Sequence, residues 1–244
     1  MHLGQKRASV FPIVLPPLQE QKKIVDVVSA VDEYIAALQR QVDTARTARN
    51  AVLHKLLTAG DDWVERRLSD VAEASWGNTS VTKRSYIDSG FLAYSASGPD
   101  GFVDWFEHDE EGVVLSAIGA LCGKTWLARG RWTPIKNTIW FKSISESVMT
   151  EYLFLVTSRR ETWPIRGQAQ PFISLGDVRL VNIPIPSLGE QKQIIETISS
   201  IDHAIQELET TTSEAKNLRS GLLSDLLSGQ HEIPASYDRL LGAA

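Results

Sequence analysis

The chain is predicted to be an α/β protein of the α+β kind, with one globular mixed α/β domain and two long α-helices that form an antiparallel coiled coil. Three observations predict this. A segment near the start, LPPLQEQKKIVDVVSAVDEYIAAL, returns near the end as IPSLGEQKQIIETISSIDHAIQEL, and Glu20 aligns with Glu190 at an offset of 170 residues. The match runs without a gap from Leu15/Ile185 to Ala59/Gly229, with about a third of positions identical. Both copies carry apolar residues at alternating steps of three and four, while the sequence between them has the short apolar runs and turn residues of a β-rich domain. A repeat this widely spaced is no solenoid of units stacked on their neighbours.

Residues 1–17 form a lead-in that ends in Pro16 and Pro17. The first helix is expected over 18–59, with its seam at Ile24, Val28, Val31, Ile35, Leu38 and Val42, continuing through Ala45, Val52 and Leu56. This is the 3.5-residue a/d spacing of a coiled coil. The second helix is expected over 184–229, with its seam at Ile194, Ile198, Ile201, Ile205 and Leu208, then Ala215, Leu222 and Leu226. Ser187 followed by Glu190 has capping-box spacing, the prolines block backward extension, and Gly60 and Gly229 stand where the patterns end. Each helix should be about 60 Å long at 1.5 Å per residue. Arg49 and Arg219 interrupt the seam at equivalent positions. Two readings fit: a stem lying along the partner helix with its head in water, or a polar residue that fixes register. A tail follows over 230–244.

Between the helices, 61–183 is read as one domain. All seven tryptophans (Trp63, Trp76, Trp105, Trp126, Trp132, Trp140 and Trp163) fall there and are expected to anchor its core. Strands are predicted at FLAYS, GFVDWF, GVVLSAIG, KTWLA and NTIWFK, and a helix at about Thr150 to Arg160.

Composition narrows the function. No apolar run approaches the length of a membrane span and no signal peptide opens the chain, so a cytoplasmic protein is expected. Cys122 is the only cysteine, which rules out a disulfide framework and a cysteine-based zinc site. His2, His54, His108, His203 and His231 show no metal-ligand spacing, and no metal is expected. A formal net charge of −5 argues against a generally basic nucleic-acid binder. Yet the stretch from Gly112 to Ser145 has no acidic residue and holds Lys124, Arg129, Arg131, Lys136 and Lys142. Acids crowd upstream of it at Asp104, Glu107, Asp109, Glu110 and Glu111. A locally basic surface of this kind suits phosphate contact, although charged strand edges also serve against aggregation.

Gly119-Ala-Leu-Cys-Gly123-Lys124-Thr125 imitates a phosphate-binding loop, but its first glycine stands one residue too close. It also leads into a strand, where a phosphate loop must open a helix. A tight turn between two strands is expected instead. No nucleophile elbow, dinucleotide fingerprint or marked carboxylate pair is present, so no catalytic residue is assigned.

PxLxEQ at the mouth of a long helix that ends in a leucine-rich LL(T/S) segment resembles the conserved regions of the specificity subunit of type I restriction-modification systems. The middle resembles that family's target recognition domains. Trp63-Val-Glu-Arg-Arg-Leu68-Ser69-Asp70-Val71-Ala72 looks like the entry segment. Val114-Leu115-Ser116 with Gly119 and Gly123-Lys124-Thr125 looks like the central run. Gly167-Gln-Ala-Gln170-Pro171-Phe-Ile173-Ser174, then Asp177 and Ile183-Pro-Ile-Pro186, looks like the closing signature. Such subunits usually carry two recognition domains, whereas this chain has one. Phe11-Pro-Ile-Val-Leu-Pro16 matches the tail of a further upstream domain, as in a half-subunit or the remnant of a longer protein.

The resemblance implies a non-catalytic reader of double-stranded DNA that docks methyltransferase subunits, which hold S-adenosylmethionine; this chain itself holds no cofactor. A motor-nuclease subunit joins for cleavage. Paired helices would hold two recognition domains apart so that DNA is read as two blocks around a gap, at most the better part of two turns of about 34–36 Å each. A homodimer about a two-fold axis would read the same block twice, inverted. The candidate DNA contacts are Lys124, Arg129, Arg131 and Lys136 for phosphates or guanine, and Asn78, Asn137 and Gln168 for adenine edges or backbone. Turn chemistry is the competing account of both asparagines, and a structural loop that of Gln168. Two rival functions remain. A coiled-coil adaptor without DNA would lack the steep salt dependence of phosphate binding. An enzyme would need a convergent set of catalytic groups that the sequence does not offer.

Overall fold

The computed structural model of the chain describes residues 15–58, 60, 62–228 and 233–234. Residues 11–14 of the proposed match of Phe11–Pro16 to an upstream domain, like most of the tail, lie outside these. Two compact units are present, one of residues 1–48 with 201–244 and one of residues 49–200.

The first unit is helical. Helix α1 spans Leu18–Leu56, and a second long helix, Leu188–Ser228, follows the globular domain. Within the unit they run antiparallel, because Arg46 pairs with Glu209 while Asp32, earlier in α1, pairs with Arg219, later in the second helix. Val42, Leu38, Ile24 and Ile205 are buried; Val28, Val31, Ile35, Ile201 and Leu208 are half-buried. Thr212, in a seam slot, is also buried, and its hydroxyl donates to the Leu208 carbonyl at 2.7 Å, so no polar atom goes unsatisfied.

The second unit takes in the last turns of α1 and the first turns of the second long helix. Its strands are β1 Val64–Arg67, β2 Ala72–Trp76, β3 Phe91–Ser95, β4 Gly98–Val103, β5 His108–Asp109, β6 Gly112–Ser116, β7 Thr125–Ala128, β8 Arg131–Pro134, β9 Thr138–Ser143 and β10 Asn182–Ile185. Helices α2 Leu68–Val71, α3 Thr150–Thr157 and α4 Leu175–Leu180 lie among them, and the second long helix is α5. Three sheets form, in the orders β1-β10, β2-β9-β6-β7 and β4-β3-β8-β5. All pairings are antiparallel except β3 with β8. The two four-stranded sheets share a core of Tyr94, Val114, Ala128, Trp132 and Trp140. On the other face of the β6 sheet packs α3, which buries Tyr152 and Leu153 completely.

Three expectations are corrected. Trp132, Trp140 and Trp163 are buried in the core and Trp105 and Trp126 are half-buried against it, but Trp63 is only half-buried and Trp76 is 39% exposed, since indoles also finish strand ends and turns. The predicted helix to Arg160 stops at Thr157 and gives way to a 3-10 turn at Arg160–Thr162. At the end of α1 the most buried residues are Leu53 and Leu57, one place on from the expected Val52 and Leu56. There the helix has joined the second unit, where Leu57 lines a cleft with Val156 and Trp163, so it presents a different face.

The join between α5 and the globular part is specific. Gln191 is fully buried: its side-chain oxygen accepts the Met149 N–H at 2.9 Å, and its amide nitrogen donates to the Ser147 and Pro186 carbonyls at 2.8 and 3.0 Å. The Trp63 indole donates to Glu190 at 3.3 Å, and the expected capping box forms, with the Ser187 N–H donating to the same carboxylate at 3.0 Å and the Glu190 N–H donating to the Ser187 hydroxyl at 3.3 Å. Ser187 and the indole together hold Glu190 below the usual carboxylate range.

Candidate nucleic-acid interface

Strand register sorts the predicted contact residues onto two opposite ends of the domain. Ser116 at the end of β6 faces Thr138 at the start of β9, Ile139 faces Trp76 at the end of β2, and Leu115 faces Thr125 at the start of β7. These ends coincide. In the other sheet β3 and β8 finish alongside, with the Ile135 N–H donating to the Tyr94 carbonyl at 2.9 Å. The opposite end holds Ala72, Gly112, Ala128 and Ser143, and it is the end that meets α5 through Ser147 and Met149.

At the α5 end the basic residues of the 112–145 run are neutralised. Arg129 bridges Glu111, at 3.0 Å, and Glu151, while Lys142 pairs with Glu110. Arg131 pairs with Asp109 at 3.2 Å and lies over the Phe106 ring at 4.9 Å, capping an edge-on Phe91–Phe106 pair. The acids that crowd upstream in sequence are therefore the partners of this part of the basic run.

The far end is different. The turn 117–124 is the predicted strand-to-strand turn, closed by Gly123 N–H to the Ser116 carbonyl and Cys122 N–H to the Gly119 carbonyl. Gly119 and Gly123 both take positive φ there, at 110° and 90°. The closing loop 166–174 is strapped to it: Gly119 N–H donates to the Pro171 carbonyl and Ile173 N–H to the Ala117 carbonyl, each at 2.9 Å. Arg166, at the start of that loop, pairs with Asp177 at 2.6 Å. The Ser174 hydroxyl, reinforced by its backbone N–H and by Arg166, holds the Asp177 carboxyl below its ordinary range.

Between these loops and the β8–β9 turn lies an open cleft of about 640 Å³, walled by Trp76, Phe172, Lys136, Asn137, Gln170 and Ser174. Trp76 and Phe172 are 39% and 42% exposed. Gly77 lets the end of β2 lie close against the β8–β9 turn, for a Cβ there would come within 2.4 Å of the Ile135 carbonyl oxygen. Asn137 holds φ 70° while its carbonyl accepts the Ala117 N–H at 3.0 Å. Among the described residues the side chains of Lys136, Asn137 and Gln170 have no hydrogen-bond or ion-pair partner. Lys124 projects from the neighbouring turn with its ammonium 5.4 Å from the Trp126 ring.

Of the predicted set, then, Lys124, Lys136 and Asn137 come together, and Gln168 is exposed on the closing loop, where Gln170 is the residue that reaches the cleft. Asn78 is engaged in turn chemistry: its amide donates to Glu107 at 2.7 Å and its oxygen accepts the Ser80 N–H at 3.0 Å. Trp76 and Phe172 were not foreseen as surface groups. Among the described residues no group of three or more His, Cys, Asp or Glu side chains is placed to hold a metal ion. Nor is any helix among them long and apolar enough to cross a membrane.

Residues 60–216 match the type I restriction modification DNA specificity domain. The chain belongs to this family. It is 21% identical to the type I restriction enzyme MjaVIII specificity subunit of Methanocaldococcus jannaschii, over 94% of this chain and 64% of that protein. It is 22% identical to the putative type I restriction enzyme MjaX specificity subunit of the same organism, over 93% of this chain and 61% of that protein. The fold is that of the type I restriction-modification S subunit of M. genitalium, with a TM-score of 0.64 at 17% identity over 86% of this chain and 61% of that one. The chain thus spans less than two thirds of the length of each of these relatives. Within the specificity domain, the central run around Gly119–Thr125 and the closing run Gly167–Ser174 meet at the far end, whereas the entry segment Trp63–Ala72 lies with β10 and α5 at the other.

Proposed function

We propose that this chain is a non-catalytic DNA reader of a type I restriction-modification complex, and that the far end of the domain is the surface laid on double-stranded DNA. The observation that carries this is the segregation of charge within the basic run of 112–145: at the α5 end Arg129, Arg131 and Lys142 are paired with the domain's own acids, while the far end keeps Lys124, Lys136 and two amides available. Lysines position a reader on phosphates; amides and apolar groups discriminate bases. Arg129 and Arg131 are withdrawn from the contact set in this reading, because releasing them would break three ion pairs.

The helical segments dock methyltransferase subunits, which bind S-adenosylmethionine and carry the chemistry, and a motor-nuclease subunit joins the same cytoplasmic complex. A second reading domain, supplied by a second copy in a homodimer, completes a gapped two-part site. The test is to express the chain with the methyltransferase encoded beside it and map modified adenines in the host DNA. A symmetric gapped motif supports the homodimeric reader, and an asymmetric one assigns the second block to a different reader. Unmodified DNA alongside a stable methyltransferase complex contradicts the DNA-reading role.

A further inference from the structure

The far-end cleft has a shape that reading from within a groove does not need. Stacked base pairs are read by elements that protrude into the major or minor groove. A recess of about 640 Å³ instead suits a group that protrudes from the duplex. Two groups do so: a phosphate, and a base turned out of the stack. A phosphate calls for cations and N–H donors and gives no role to two exposed aromatic side chains. An unstacked base calls for π faces to lie against and for amides along its edge. Trp76 and Phe172 supply the first, and Asn137 and Gln170 the second.

Resting on the DNA-reading role above, we propose that this cleft receives a single base turned out of the target duplex, lying against Trp76 and Phe172, read on its edge by Asn137 and Gln170, with Lys136 on a flanking phosphate. Asn137 is the discriminating residue. Its φ of 70° is a backbone reason for asparagine at the turn, and glycine meets that requirement equally well. Asn137→Gly therefore keeps the turn and removes only the amide. If turn chemistry were its whole role, the variant would read DNA as the parent does.

A base that leaves the stack must first be unpaired, and a mismatch removes that cost in advance. The probe is a set of duplexes carrying the methylation-mapped motif, with one mismatch moved through every position, bound to the chain in complex with its methyltransferase. The expected result is one position, distinct from the methylated adenine, at which a mismatch tightens binding about tenfold or more, since it removes part of the cost of opening a pair. Trp76→Ala and Asn137→Gly abolish that gain while both still melt cooperatively and the salt dependence stays with the parent. A gain at the methylated adenine only, or one that survives in both variants, overturns the proposal and leaves the DNA-reading role standing. Absence of salt-dependent binding to the fully paired motif removes both.

Discussion

The guanidinium of Arg219 forks onto both carboxylate oxygens of Asp32, with Nη2 2.8 Å from Oδ2, and joins two antiparallel helices across 187 residues of sequence. The hydrogen bond from Arg219 holds the Asp32 carboxyl below its ordinary range. Both residues recur in the other repeat copy, as Asp202 and Arg49. Of the two readings of the seam arginine, this geometry favours the register device: the head group has a defined partner on the facing helix.

Reversing one member, Asp32→Arg or Arg219→Asp, should lower the thermal stability of the helix pair at low ionic strength, and the effect should shrink in high salt. The double exchange should recover most of the loss. Far-UV circular dichroism during melting reads all three variants, and a double exchange no better than the singles would remove the pair's role in register.

Gln191 and Gln21 occupy the same place in the two repeats, and each donates to the proline five residues before it, at 3.0 and 2.7 Å. Only Gln191 is also bonded to Ser147 and Met149 of the globular part. Gln191→Ala strands the Met149 N–H and the Ser147 and Pro186 carbonyls and should cost about 2–3 kcal/mol. Gln21→Ala should cost about 1 kcal/mol or less, the net worth of one ordinary hydrogen bond. Urea denaturation of the two variants compares them directly, and equal losses would contradict the account of how α5 is joined.

Gly77→Ala should destabilise the second unit by about 1–3 kcal/mol, as expected of overpacking against backbone that cannot swing away. The added methyl would sit 2.4 Å from the Ile135 carbonyl oxygen. A melting temperature equal to the parent's would show that the β2 end and the β8–β9 turn separate easily.

His108 lies against Trp132 and Trp140, with ring centroids at 4.3 and 4.2 Å, and burial pushes its pKa below 6.5. Lys142 lowers it further, while Glu107, Glu110 and Glu73 oppose the shift. A depressed folded pKa means that the unfolded chain takes up the proton first as pH falls. The stability present above about pH 6.5 is then lost progressively until the folded pKa is reached. His108→Gln should flatten the fall in melting temperature between pH 7 and pH 5. A parent-like fall would place the pH dependence elsewhere.

The helices were legible because their information is local and repeated: a 3.5-residue seam and matched start signals say helix whatever surrounds them. Strands β3, β6, β7 and β9 were legible for the same reason, being short apolar runs between turns, whereas of the run expected at GFVDWF only Gly101–Val103 is strand, the second half of β4. Strands β1 (VERR), β8 (RWTP) and β10 (NIPI) were not, because charge and proline hide them and their pairing partners lie far along the chain. The basic run misled in part because a hairpin reverses direction: Lys124 and Arg129 are separated by one strand, and so stand at opposite ends of the domain. The cleft escaped the sequence altogether, since Trp76, Lys136 and Phe172 are brought together only by sheet register and the strapped closing loop.

The most direct test of the account is the salt dependence of binding to the methylation-mapped duplex, comparing a Lys124→Ala/Lys136→Ala variant with an Arg129→Ala/Arg131→Ala variant. Each phosphate contact adds about 0.9 to the slope of log affinity against log salt. The account predicts that the lysine variant loses affinity and about 2 in slope, while the arginine variant keeps the parent's slope. A slope unchanged in the lysine variant and reduced in the arginine variant would contradict it, and would put the α5 end of the domain on the DNA.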